Sequence, residues 1–303
     1  MSAPRLRIGL VNLMPDAALV AAERQFARLL GARAPGPELV LTTLAALPRG
    51  PQARDHIDRN YGRLADVRDR GLDGLIITGT NVTGEDLTGE PFWEPLLEAA
   101  DWGLRHARAT LLSCLATHVV LHGRFGQPRR RLAAKCWGVF PHEVARDVPG
   151  PAGALVRGLD ASVPVPHSRW NEVTAAQFAA AGLRVLVASP RAGVHLAAAD
   201  DGRLTCLQGH PEYDAISLLK EFKRDACLFA EGALATFPPY PAGYLPPLAQ
   251  AILEDWRHRG LAAAAAGRPW PEFPEPAVAP LVPDPWRGAA EVVFRNWMAG
   301  LGA

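Results

Sequence analysis

The sequence predicts an α/β protein, a parallel or mixed sheet with helices on both faces, continued by a helical extension toward the C-terminal end. Three features carry this expectation. Short β-rich runs alternate with segments of helical periodicity from Leu6 to His122, the pattern of a parallel sheet with crossover helices. The segment Asp73-Gly-Leu-Ile-Ile-Thr78-Gly79 is apolar at its centre without alternation, as expected of a strand covered on both faces. Past Lys135 the β-like runs become shorter and follow one another, which points to antiparallel additions.

Leu6 to Asn12 reads as the first strand, and Asp16 to Leu30 as a helix closed by Gly31. Glu38 to Thr43 is a second strand. Asp55 to Arg70 is rich in charge and reads as one solvated helix. Asp73 to Gly79 is expected near the sheet centre. Phe92 to His106 reads as a helix, Ala109 to Ser113 as a strand, and Thr117 to His122 as the start of another helix. Trp137 to Phe140, Arg184 to Ala188, Val194 to Ala198 and Leu204 to Leu207 are the later strands, and Ile216 to Glu231 has helical spacing. Beyond it, proline-rich stretches flank helices near Leu248 to Arg259 and from Gly288 to Leu301. Residues 1–236 are expected to form the principal domain. Residues 237–303 are expected to pack on it or on a partner subunit.

The 32 basic and 31 acidic residues are interspersed and leave a net charge of +1, so no long-range field draws nucleic acid or an anionic membrane. A small molecule or a second copy is the expected partner. Four cysteines in 303 residues do not make a disulfide framework, and no CxxC pair suggests zinc; a reducing cytoplasm fits best. The apolar stretch after Arg5 and Arg7 stops at Pro15-Asp16, too early for a signal peptide. No uncharged run free of proline reaches the length of a membrane span.

Chemistry concentrates in two segments that follow apolar strands, Leu111-Leu-Ser-Cys114-Leu-Ala-Thr-His118 and Cys206-Leu-Gln-Gly-His210-Pro-Glu212-Tyr-Asp214. Strand ends of a parallel sheet are where ligands bind. A thiol at a strand-to-helix turn lies beside a helix N-terminus, whose dipole favours thiolate. Taken alone, Cys114 reads first as a buried structural thiol, because free cysteine behaves as a small hydrophobe, and the catalytic reading needs a second witness. His210 and Glu212, two apart on a turn with Gly209 and Pro211, supply an imidazole held by a carboxylate, which is what a nucleophilic thiol requires.

These segments occur with Asn12-Leu-Met-Pro15, Asp73 to Gly79, Lys135-Cys-Trp-Gly-Val-Phe140 with His142, Pro166-His-Ser-Arg169, Glu221-Phe-Lys-Arg-Asp225 and Phe294-Arg-Asn-Trp297. In this order, and above all in Gly209-His-Pro-Glu-Tyr-Asp214 and Pro166 to Arg169, the chain resembles the homoserine O-acyltransferases of the class I glutamine amidotransferase-like type, also called homoserine trans-succinylases. The resemblance implies a flavodoxin-like sheet and a ping-pong acyl transfer in methionine biosynthesis, with residues 1–236 as the acyltransferase domain. Cys114 would carry the acyl group, His210 would act as base, and Glu212 would orient it. Lys135, Ser168 and Arg224 would bind substrate; a planar guanidinium suits the amino acid's carboxylate. Acyl-CoA is a substrate here, and neither cofactor nor metal is implied.

Two departures stand out. The family has Trp, then Gly or Ala, and a Gln two places further after its nucleophile, where this chain has Leu115, Ala116 and His118. An imidazole at 118 would contact CoA, pack inward or perturb the thiol. The family's donor-selecting position, Glu with acetyl and Gly with succinyl, falls on Thr83, which cannot repel a succinyl carboxylate. Succinyl-CoA is therefore expected, with acetyl-CoA as the alternative. A glutaminase that passes ammonia to a partner and a non-catalytic binding protein are the competing readings. A homodimer is expected, with Trp256, Trp270, Trp286 and Trp297 available for an interface or for packing on the chain's own core.

Overall fold

A computed structural model describes residues 5–32, 36–80, 82, 84 and 86–302. Strands β1 (Arg7–Val11), β2 (Glu38–Thr42), β3 (Gly74–Ile77) and β4 (Ala109–Ser113) alternate with helices α1 (Asp16–Leu29), α2 (Pro51–Asn60), α3 (Leu64–Asp69) and α4 (Trp93–His106). Helix α5 (Leu115–Phe125) follows β4 directly. Next come β5 (Arg130–Val144), α6 (Gly150–Ala154), β6 (Ser162–Glu172), α7 (Ala175–Ala180), β7 (Arg184–Ser189), β8 (Gly193–Ala198) and β9 (Leu204–Leu207). The chain finishes with α8 (Ser217–Ala230), α9 (Pro247–Ala265), α10 (Glu275–Val278) and α11 (Arg287–Gly302).

The nine strands form one sheet in the order β2-β1-β3-β4-β9-β8-β7-β5-β6. Pairings from β2 to β9 are parallel and those from β9 to β6 antiparallel, so the sheet is mixed, as the change of pattern past Lys135 indicates. Strand β3 lies in the middle of the parallel half. Its side chains alternate between two cores: Leu75 and Ile77 pack with α4 and α5, whereas Ile76 joins Ile8, Leu10 and Leu111 beneath α1 and α11. Both faces of the parallel half are thus covered by helices.

Two expectations are corrected. The charged segment Asp55 to Arg70 is two helices, α2 and α3, because Tyr61 and Gly62 turn inward: the Tyr61 hydroxyl donates to Glu23 at 2.7 Å, and Gly62 N–H donates to the Leu41 carbonyl at 2.9 Å. The later strands include a long hairpin, β5 with β6, where only Trp137 to Phe140 reads as strand. Pro141, Pro164 and Pro166 obscure it. Strand β6 is a sheet edge, where proline displaces no necessary ladder bond.

The C-terminal elements pack on the rest of the chain. Trp256 and Trp286 are buried with Trp137, Phe222 and Phe273, and Trp297 lies over Gly74 of β3, where an added Cβ would come within 2.6 Å of its ring. Three of the four indoles named from the sequence, Trp256, Trp286 and Trp297, are thus buried in the chain's own core, and Trp270 packs against Trp256 while partly exposed. Among the described residues, no helix is long and apolar enough to cross a membrane.

Candidate active site

The parallel pairing of β4 with β9, Ser113 opposite Leu207, sets the two chemical segments side by side. Cys114 caps α5 with φ 52° and ψ −112°, a strained conformation for a residue with a side chain. It is held because its N–H donates to the Leu207 carbonyl at 2.8 Å and because Gly79 backs the turn closely, a Cβ there coming within 3.1 Å of the Leu115 nitrogen and 3.2 Å of the Cys114 Cβ. Of the four free thiols, Cys114 lines the cavity. Burial raises the pKa of the other three, Cys206 to about 12, which keeps them inert.

His210 Nδ1 donates to Glu212 Oε1 at 2.8 Å, and a carboxylate accepts only, so the other ring nitrogen is left for the Cys114 sulfur, which borders the same cavity and is close enough for its charge to act on the ring. Burial disfavours the imidazolium, but the charges of Cys114 and Glu212 outweigh it and hold the His210 pKa well above its ordinary value. The ring stacks on Tyr213 with centroids 4.5 Å apart. Gly209 permits this placement. A Cβ there would lie 2.6 Å from Val165 Cγ1, 2.8 Å from His195 Nδ1 and 3.0 Å from His167 Nε2.

Cys114 and His210 line a cavity of about 360 Å³ together with Lys135, Ser168 and Arg224, so five of the seven expected site residues border one space, and Glu212 reaches it through His210. Glu212 is buried behind His210. Thr83 lies outside the described residues, while Gly79, Thr80 and Val82 of the same loop line the cavity. Lys135 and Ser168 converge on a residue the motif reading did not single out. Glu221 pairs with Lys135 Nζ at 3.3 Å and accepts from the hydroxyls of Ser168 at 2.5 Å and Tyr213 at 2.7 Å. Burial works against its charge, but Lys135 and these hydrogen bonds hold the carboxyl below its usual range. Arg224 is bonded to Asp225 at 2.8 Å and remains half exposed.

His118 packs inward. Gln208 Oε1 already accepts from Val173 N–H at 2.7 Å while its amide donates to the Val173 and Val194 carbonyls, so His118 Nε2 must be the donor across 3.1 Å. Burial lowers its pKa to about 3, and the ring is neutral.

Behind His210 lie three more buried rings. His142 Nδ1 donates to the Phe140 carbonyl at 2.9 Å, which leaves Nε2 to accept from His167 Nε2–H at 3.1 Å; His167 Nδ1 then accepts from Arg169 Nε at 3.3 Å. His195 meets both rings edge-on. Burial lowers the pKa of His142 to about 4 and those of His167 and His195 well below the ordinary value, with Arg169 adding to the effect.

The arrangement of thiol, imidazole and carboxylate suits covalent acyl transfer. Comparison with known proteins narrows it. The profile of a family described as Homoserine O-succinyltransferase matches residues 2–301. The chain is 51% identical to the homoserine O-succinyltransferase of Allochromatium vinosum over 297 residues, 97% of this chain and 82% of the relative. It is 48% identical to that of Thioalkalivibrio nitratireducens over 299 residues, 98% and 83% of the two. A crystal structure of a Thermotoga maritima glutamine amidotransferase shares the fold at a TM-score of 0.50, covering 97% of this chain and 99% of that one at 11% identity. The chain belongs to the homoserine O-succinyltransferase family.

Proposed function

We propose that this chain transfers a succinyl group from succinyl-CoA to the hydroxyl of L-homoserine, through a thioester on Cys114, as a step of methionine biosynthesis. The observation that carries the residue assignment is that Cys114 and His210 border one cavity, with His210 held from behind by its hydrogen bond to Glu212. Cys114 Sγ attacks the thioester carbonyl carbon; the carbon–sulfur bond to CoA breaks, and the departing CoA sulfur takes the proton held on His210. Homoserine then gives its hydroxyl proton to His210 and attacks the Cys114 thioester, and Cys114 leaves as thiolate. Glu212 stabilises the imidazolium in both halves. The N–H of Leu115, at the start of α5 and against Gly79, is assigned to the tetrahedral oxyanion.

Arg224 is assigned to the amino acid's carboxylate, and the Glu221 carboxylate, fixed by Lys135, Ser168 and Tyr213, to its ammonium. The succinyl names of the relatives do not favour the acetyl alternative. Residues 1–236 are proposed to hold the chemistry and residues 237–303 to cover it, in a protein at work in the cytoplasm. The test exposes purified protein to succinyl-CoA and then homoserine. A succinyl adduct on Cys114 by mass spectrometry, discharged by homoserine as O-succinylhomoserine, is the expected result. Full homoserine succinylation by Cys114→Ala would overturn the assignment.

A further inference from the structure

Trp170 is 45% exposed yet lines the same cavity as Cys114. Its position follows from the hairpin register. Arg131 faces Asn171 and Cys136 faces Arg169, so Leu132 to Lys135 on β5 oppose Trp170 alone on β6. Irregularities of this kind re-aim side chains beside sites. The Arg131 guanidinium rests over the indole, 4.8 Å from its centroid. A guanidinium stacked on a ring keeps its in-plane N–H groups for an acceptor such as phosphate. Arg129, two residues earlier, lines the cavity and is close enough to feel the charges of both Arg131 and Cys114. Aromatic surface and positive charge thus run from solvent toward the sulfur, and the acyl-transfer steps use neither Trp170 nor Arg131.

We propose that Trp170 and Arg131 form the subsite for the nucleotide end of the CoA thioester, the purine stacking on the exposed indole and Arg131 holding a phosphate. Homoserine offers neither a π-face nor a phosphate, so this rim belongs to the donor. A docking point at the rim leaves the inner cavity to the reacting carbonyl and lets CoA depart before homoserine enters. The inference rests on the acyltransferase reading given above.

The test compares kcat/KM for succinyl-CoA with that for succinyl-N-acetylcysteamine, a thioester that lacks the nucleotide, at saturating homoserine. Relative to the unaltered protein, Trp170→Ala is expected to reduce the preference for the CoA donor by about tenfold or more, the scale of one base–aromatic stack. Trp170→Tyr retains most of the preference. Arg131→Gln reduces it by roughly tenfold at low salt and by less at high salt. Each variant's reaction with the truncated donor reports its own folding. Loss of both donors in equal proportion would overturn the subsite, since Trp170 would then only shape the pocket. If the unaltered protein acylates homoserine from neither thioester, the acyltransferase reading fails and the subsite falls with it.

Discussion

Lowering the pH from 7.5 to 5.5 should destabilise this protein by about 4 kcal/mol through its buried histidines. His118, His142, His167 and His195 are buried and neutral, with pKa values depressed from 6.5 in the folded state. Below pH 6.5 the unfolded chain therefore binds protons that the folded chain refuses, and stability falls as pH falls. Across this window each ring loses about 1.4 kcal/mol. His210 has the opposite sign: its folded pKa is raised, so its contribution is fully present below 6.5 and is lost as pH rises through the raised value. It offsets about one of the four. The depressed carboxyls of Glu221 and Asp214 release their stability only at lower pH. Denaturant midpoints at the two pH values, at constant ionic strength, measure the difference. A thermal scan should show a fall of roughly 8 °C or more, at about 2–4 °C per kcal/mol. His167→Gln retains a donor for His142 but cannot titrate, and should shrink the drop by about 1.4 kcal/mol. Equal or greater stability at pH 5.5 would refute the neutral-histidine interior.

Gly209→Ala should destabilise by about 1–3 kcal/mol and lower turnover, because the new methyl meets Val165, His195 and His167; wild-type turnover in this variant would show that the His210 turn tolerates movement. Trp297→Ala empties the space over β3 and should lower unfolding free energy by about 3–5 kcal/mol, read from urea titration. Glu221→Gln should raise the homoserine KM roughly tenfold or more with less effect on the donor's KM, and an unchanged homoserine KM would remove Glu221 from ammonium binding.

Much of the parallel half is legible in the sequence because β1, β3 and β4 are short apolar runs followed by turn residues or capped helices, and hydrophobicity alone marks such strands. The Cys114 elbow follows from the same pattern, since a parallel strand feeding a helix can leave a side chain only at the sheet's end. The β5–β6 hairpin is hidden by its prolines: Pro164 and Pro166 are tolerated because β6 is an edge, and Pro141 because β7 pairs with β5 only at Glu143 and Val144, properties of the whole sheet and not of the segment. Glu221 carries no local signal either. On a helix it reads as a surface acid, and only the approach of Lys135, Ser168 and Tyr213 from three other elements makes it part of the cavity. The fate of His118 likewise depends on Gln208, 90 residues away.

Helix α11 lies over β1, β3 and β4, with Phe294 against Phe26 at 6.1 Å and Trp297 and Leu301 against Gly74. Strands made early are therefore roofed by a helix made about 170 residues after β4. During synthesis Ile8, Ile76 and Leu111 wait uncovered until residues 287–302 emerge, so one face of the parallel half stays sticky while the roughly 170 residues between β4 and α11 are made. A chain cut short before residue 287 would carry Cys114, His210 and Glu212 but lack this lid, and such a product is a natural client for chaperones and proteases.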